Sequence, residues 1–301
     1  MEYKAPVEAY PGRVAEVIIG RGEKALKIGG ENVLPFHFFE GAIANPPRLA
    51  LEVLDSAPAG WAPWEVEPYK DVISDPVRWA NKALELGADL VCLRLVSTDP
   101  AGQNVPGERA AELVKKVASA IRSPLIVYGS GDENKDIEVL TKVAEVCAGE
   151  VLLLGPVVKE NYEPISKAAL EHGHCIIAQS PLDINLEKEL NVKLLKSFPK
   201  ERIVIDPLSS ALGYGMEYSF TIMERTKHIG IMFGDSTMQM PIIADLASEC
   251  AKTKQAKENE KQGLLWELVT AISLLLAGAN VVVLRLPQNL KILKEVLEGR
   301  L

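Results

Sequence analysis

Cysteine and histidine are scarce in this chain, at four each in 301 residues. Cys92, Cys147, Cys175 and Cys250 are widely spaced and form no C-x-x-C pair, which argues against a zinc site or iron–sulfur cluster built from this chain alone. Three of them sit in or beside apolar patterns, so all four read as small buried hydrophobes. Excess positive charge is also missing. With 33 Lys and Arg against 41 Asp and Glu, net charge −8, nucleic acid is not an expected partner. The lysine-dense run from Lys252 to Lys261 is interleaved with Glu258 and Glu260 and reads as a solvated face. No uncharged apolar run is long enough to cross a bilayer, and the start Met1-Glu2-Tyr3-Lys4 followed by Pro6 lacks the apolar stretch of a signal peptide. A cytoplasmic location is the expectation.

What the chain has is a repeating unit. Its 48% hydrophobic residues suffice for a large core. Residues 14–29 read as a hairpin, Val14 to Ile19 and Lys24 to Ile28 joined at Arg21-Gly22, set against one end of the main domain. Residues 33–39, interrupted by Pro35, form a lead-in segment. From Leu49 onward eight strand candidates follow: Leu49 to Leu54, Leu90 to Val96, Leu125 to Tyr128, Val151 to Leu154, Cys175 to Ala178, Ile203 to Ile205, Ile229 to Phe233 and Val281 to Leu286. Most are short continuous apolar runs, as parallel strands covered on both faces should be. A helical pattern trails each, less regular after the seventh, with Asp75-Pro76 opening the first and Gly87, Gly149, Gly173 and Gly278 closing others. The reading is α/β: one (β/α)8 TIM-barrel domain over residues 1–301, with 1–48 as hairpin and lead-in segment and 49–301 as barrel. A doubly wound open sheet is the runner-up, but it would normally show a glycine-rich dinucleotide turn after its first strand, and none occurs.

A barrel gathers its strand-to-helix loops on the carboxyl face, so candidate site residues can be read off as one surface. The unit most worth attention is Arg202 to Phe220, where Ile203-Val204-Ile205 stops at Asp206-Pro207 before a Ser/Gly-rich loop. Loop one, residues 55–75, is long and carries Trp61, Trp64 and Tyr69, which either meet a partner or fold back on the barrel top. Loop two offers Ser97, Thr98 and Asp99; loop five Gln179 and Ser180; loop six Asp206, Ser209 and Tyr214. Loop seven, after Ile229 to Phe233, offers Asp235, Ser236, Thr237, Met238 and Gln239, and Arg285 stands near the last strand's end. Ser97, Thr98, Asp99, Asp206, Ser209, Tyr214, Asp235, Ser236, Thr237, Met238 and Gln239 form the expected cofactor-binding set. The surface is rich in hydrogen-bonding groups but offers no strand-end lysine, no G-x-S-x-G elbow and no converging metal ligands, so no catalytic residue is assigned.

The segment Ile203-Val204-Ile205-Asp206-Pro207-Leu208 is similar to the sixth-strand signature of the pterin-binding barrels, which include dihydropteroate synthases and methyltetrahydrofolate:corrinoid methyltransferases. In that group the strand-end Asp, here Asp206, holds the pterin ring. The chain departs from it at Leu154-Gly155-Pro156 and at Gly234 to Pro241, both lacking the expected Asn. Over essentially its whole length the chain more closely resembles the small subunit of the corrinoid iron–sulfur protein, through Pro35-Phe36-His37-Phe38-Phe39-Glu40, Asn45-Pro46-Pro47, Val96-Ser97-Thr98-Asp99-Pro100 and Gly234 to Pro241. That resemblance implies a heterodimer in which this barrel catalyses no reaction by itself. The large subunit carries the iron–sulfur cluster and a corrinoid (cobalamin) domain, and the barrel top caps the corrinoid. The implied partners are that large subunit, the methyltetrahydrofolate methyltransferase that supplies a methyl group, and the acetyl-CoA synthase/carbon monoxide dehydrogenase that receives it. A self-sufficient pterin-dependent methyltransferase is the alternative.

Overall fold

The computed structural model describes residues 6–41 and 43–300; the Met1 to Lys4 stretch lies outside them. The hairpin forms first, β1 (Glu16–Ile19) antiparallel to β2 (Leu26–Gly29). Eight parallel strands follow: β3 (Arg48–Leu54), β4 (Leu90–Arg94), β5 (Leu125–Tyr128), β6 (Leu153–Val157), β7 (Cys175–Gln179), β8 (Ile203–Asp206), β9 (Ile243–Asp245) and β10 (Val281–Leu284). Their order is β8-β7-β6-β5-β4-β3-β10-β9. The ring closes where Ile205 and Ile242 bridge in parallel, the Ile205 amide donating to the Pro241 carbonyl at 2.8 Å. This is the expected barrel.

Each strand divides its residues between two cores, because neighbouring side chains on a strand point to opposite faces. Leu51, Val53, Leu93, Val127, Ile176, Ile205 and Val282 face outward into the layer shared with the helices. Ala50, Leu90, Cys92, Ile126, Leu153, Cys175, Ile177, Val204, Ile243 and Val283 face the axis, and Val17, Ile19 and Ile28 of the hairpin join them. The hairpin thus seals the amino-terminal end. Its backbone is tied there by Gly20 N to Val151 O at 2.8 Å and Ala15 N to Gln239 O at 2.8 Å.

Among the helices are α1 (Pro63–Val66) in loop one, α2 (Pro76–Glu85), α3 (Gly107–Ala120), α4 (Glu133–Val146), α5 (Tyr162–His172), α6 (Ile184–Leu194) and α7 (Met216–Lys227). Two short helices, α8 (Ala247–Ala251) and α9 (Lys254–Glu258), precede α10 (Glu260–Leu276) and α11 (Gln288–Glu295). The Asp75 carboxylate accepts from the amides of Val77 and Arg78 at 3.0 and 3.2 Å, capping α2 as its sequence suggests. Gly173, the residue after α5, has φ +84°, a left-handed position that glycine tolerates at no cost.

One expected strand is not a strand. Residues His228–Met232 continue α7 as a wide helical turn, and the seventh barrel strand is β9. Ile231 is buried, but against Val14 and Leu34 and not in the sheet, and its carbonyl accepts from Gly12 N at 2.9 Å. A short apolar run has the same signature in a buried helix end as in a strand, and periodicity does not separate the two. The consequence is topological. Asp235, Ser236, Thr237, Met238 and Gln239 do not follow a strand onto the carboxyl face; they lead into β9 from the other side.

Candidate functional site

Continuing the inward alternation by one more step reaches the carboxyl end of the barrel, and the chemistry changes there. The inward positions become Glu52, Arg94, Tyr128, Gln179, Asp206, Asp245 and Arg285. Glu52 is at the centre. Its Oε1 accepts from Arg94 Nε at 2.5 Å and its Oε2 from Arg285 Nε at 2.9 Å. Arg94 also bonds Asp245, and lies 5.1 Å from the Tyr128 ring centroid. Arg285 reaches Glu65 Oε1 at 3.1 Å and stacks 4.0 Å from the Trp61 ring centroid. Burial opposes ionisation of Glu52, but the Arg285 and Arg94 guanidiniums outweigh it and hold the carboxyl below its ordinary range.

Asp206 forms the second half of the mouth. It is fully buried, and both its oxygens are occupied: Oδ2 by the Tyr128 hydroxyl at 3.0 Å and Gln179 Nε2 at 2.9 Å, Oδ1 by the Leu208 amide at 2.9 Å. Burial pushes its pKa up to about 6 against the opposing pull of Gln179, with the Asp245 charge adding to the rise. Leu208 has φ +65°, a strained conformation for a branched side chain, held by that bond.

The other expected residues fall into three groups. Ser97 and Thr98 lie on the carboxyl face directly after β4, buried; Ser97 donates from its amide to Asp55 at 2.9 Å and from its hydroxyl to the same carboxylate, and Thr98 donates to the Leu95 carbonyl at 2.6 Å. Asp99, beside them, caps the Ala101 amide at 2.8 Å. Ser209 is buried on the same face, its hydroxyl without a partner among the described residues, and Tyr214 is half exposed, its hydroxyl donating to Gln255 Oε1 and accepting from the Lys254 amide, each at 3.0 Å. The third group is the displaced segment before β9. Asp235 pairs with Lys188 on α6 at 2.6 Å and accepts from the Thr237 amide at 3.0 Å, leaving Ser236 exposed. Met238 is fully buried against Asn191, and Gln239 bonds the Gly230 carbonyl at 3.0 Å and Lys200 at 3.3 Å. The acid that shares the mouth with Asp206 is therefore Asp245, and Asp235 stands against the flank of α6.

Loop one folds back on the barrel. Tyr69 is fully buried, donating to the Arg285 carbonyl at 3.0 Å; Trp61 meets Trp79 edge-on at 5.7 Å; and Trp64 lies against Gly263, where an added Cβ would fall 2.2 Å from its ring. Sequence reasoning missed Glu52, Arg94, Tyr128 and Asp245. The signal was present, since Glu52 and Arg94 are charged residues at inward positions of otherwise apolar strands, where an unpaired charge would be prohibitive.

All four cysteines are buried free thiols, and burial pushes Cys175 up to about 12. No cluster of three or more His, Cys, Asp or Glu with metal-binding geometry occurs among the described residues, and no described helix is long and apolar enough to cross a membrane.

These features define an eight-stranded parallel barrel whose carboxyl mouth is filled by a charged network and whose opposite end is closed by a hairpin. The same architecture occurs in solved dihydropteroate synthases. That from Thermus thermophilus in complex with 6HMPPP superposes with TM-score 0.58 at 16% identity, covering 85% of this chain and 95% of that one. That from Coxiella burnetii in complex with pteroic acid gives 0.59 at 11%, covering 85% and 93%. At such identities the likeness is one of fold. In sequence, residues 16–297 match the CO dehydrogenase/acetyl-CoA synthase delta subunit family, and the chain belongs to that family. Among its relatives are the acetyl-CoA decarbonylase/synthase complex subunit delta of Archaeoglobus fulgidus, 36% identical over 312 residues with 96% of this chain and 69% of the relative covered, and that of Methanopyrus kandleri, 37% identical over 303 residues with 95% and 75% covered.

Proposed function

We propose that the chain is the small, non-catalytic subunit of a corrinoid iron–sulfur methyl carrier, its carboxyl mouth set over a corrinoid that a large subunit carries. In this reading a methyl group enters from methyltetrahydrofolate by way of a methyltransferase and leaves to acetyl-CoA synthase. Family membership supports the setting. The observation that carries the choice between a capping subunit and a self-sufficient pterin enzyme is the state of Asp206. A carboxylate that must hold a pterin needs an oxygen open to the ligand, and here Asp206 is fully buried with three of its acceptor positions taken by Tyr128, Gln179 and Leu208. The axis beside it is filled by the Glu52, Arg94 and Arg285 network.

The rim suits a large ring fringed with amides. Ser180 Oγ, Ser209 Oγ and Asp245 Oδ1 are buried on the carboxyl side with no partner among the described residues, and unsatisfied buried polar atoms in a native fold call for a ligand or water. When bound, the corrinoid supplies the cobalt on which the methyl group is carried. The chain's own part is to bind the ring's edge, hold it in one orientation and exclude water from the reactive face. A pull-down from native extract, scored by the corrinoid absorption spectrum, tests this: a stoichiometric iron–sulfur partner carrying corrinoid is expected. Turnover by the purified chain alone, given methyltetrahydrofolate and free corrinoid, would reject it.

A further inference from the structure

Gln239, displaced from the mouth, borders a second cavity. It leads into β9 at the amino-terminal end of the barrel, and beside it opens a cleft of about 860 Å³. One wall is the hairpin and its approach, with Pro11, Arg13 and Ile18; the other is the turns that enter β6 and β8, with Val151, Lys200 and Arg202. The charges on these walls do not cancel. Arg13, Lys200 and Arg202 form no ion pair among the described residues, and Lys200 bonds the neutral Gln239 amide at 3.3 Å. Two carboxylates also border the cleft. Glu16 is already matched by Lys27 Nζ at 3.5 Å and Asn45 Nδ2 at 3.0 Å, so Glu201 is the one uncompensated acid on the walls among the described residues. Two positive charges remain in excess, on a chain whose net charge is −8.

Val151 supplies an independent sign. Its φ is +53°, a left-handed conformation that a β-branched residue adopts only under constraint, and the Gly20 amide holds it by donating to its carbonyl at 2.8 Å. Strain of this kind gathers at ligand clamps. Ile18, on the outward face of the hairpin, adds an apolar surface that is 45% exposed.

We propose that this cleft binds a phosphate monoester, with the dianionic head among Arg13, Lys200 and Arg202 and an apolar body against Ile18 and Pro11. Charge selects the head. Two excess positive charges match the near-double charge of a phosphate monoester at neutral pH better than the single charge of a carboxylate, and guanidinium forks match phosphate oxygens in pairs. The apolar walls select the body, since inorganic phosphate would leave Ile18 and Pro11 in water. Arg13 belongs to the approach to β1, and Lys200 and Arg202 to the turn before β8, so an occupant would clamp the hairpin to the barrel end. The site lies at the opposite end from the mouth and does not depend on what the mouth holds.

The test titrates the full chain with phenyl phosphate at neutral pH and low salt, followed by calorimetry and by Tm. Binding with a rise in Tm is expected, weaker binding by inorganic phosphate, and none by phenol. Arg13→Gln, at an exposed position, should weaken binding about tenfold with the Tm of the free protein unchanged. Glu201→Gln should tighten binding several-fold, a gain that misfolding cannot mimic. Lys261→Gln, at the start of α10 on the carboxyl side, should change nothing, and added salt should weaken binding to the unaltered protein. Failure of both phenyl phosphate and inorganic phosphate to bind would overturn the proposal. So would equal binding of phenol, or an affinity that Arg13→Gln and Glu201→Gln both leave unchanged.

Discussion

The two ends of the barrel are made from the same strands by the same alternation, yet they differ in what the inward positions carry. At the amino-terminal end Leu90, Leu153, Cys175 and Val281 meet Val17, Ile19 and Ile28 of the hairpin, an apolar plug that tolerates imprecision in any one contact. At the carboxyl end Glu52, Arg94, Asp245 and Arg285 satisfy one another, and each bond there is required by the next. Stability is gathered at one end, and orientation at the other. A buried ionic network is a poor means of adding stability but a good means of holding side chains in a single arrangement.

The comparison can be broken most forcefully at Glu52. Glu52→Ala leaves two buried guanidiniums without their shared partner, so a loss of about 3–5 kcal/mol in denaturant unfolding is expected. A loss below about 1 kcal/mol would mean that the network is wet and loosely held. At the other end, Ile19→Ala should cost about 2–4 kcal/mol through a cavity, with cobalamin affinity unchanged. Reduced affinity in that folded variant would show that the two ends are coupled.

The third test is pH. Asp206 has a folded pKa raised from 3.8 to about 6, so the folded state binds more protons than the unfolded one between those values. Its contribution therefore turns against stability as pH rises through that window, by about 3 kcal/mol when complete, and is absent below the unfolded value. Replacing Asp206 by Asn should remove this segment of the stability–pH curve. Protonation also removes the negative charge to which Tyr128, Gln179 and Leu208 donate and so loosens their placement, so ligand affinity is expected to fall below about pH 6 in the unaltered protein and to lose that dependence in Asp206→Asn. The smallest effect belongs to Asp235→Ala. It removes the bond to the Thr237 amide and the pair with Lys188, should cost about 1 kcal/mol, and should leave cobalamin binding untouched. A binding defect there would return the segment to the site.

Most of the scaffold was legible in the residues. Seven barrel strands lie where short, mainly apolar runs occur, because a strand covered on both faces is apolar over most of its length. Asp206 and the Ser97-Thr98 turn were legible for a related reason: polar residues directly after such a run must fall on the carboxyl face. Ile229 to Phe233 failed because hydrophobic content reports burial and not backbone conformation. The true seventh strand is three residues long, too short for any periodicity to register.

The amino-acid order by itself determined the repeating unit, the barrel and the face on which a site must lie, since each follows from local pattern and the chirality of parallel connections. Closure of the ring decided the rest. It brought Glu52, Arg94, Asp245 and Arg285 from four different strands within bonding distance, turned loop one inward onto Trp79, and committed both oxygens of Asp206 to its own neighbours. Those are distances between residues far apart along the chain, and no spacing along the chain encodes them.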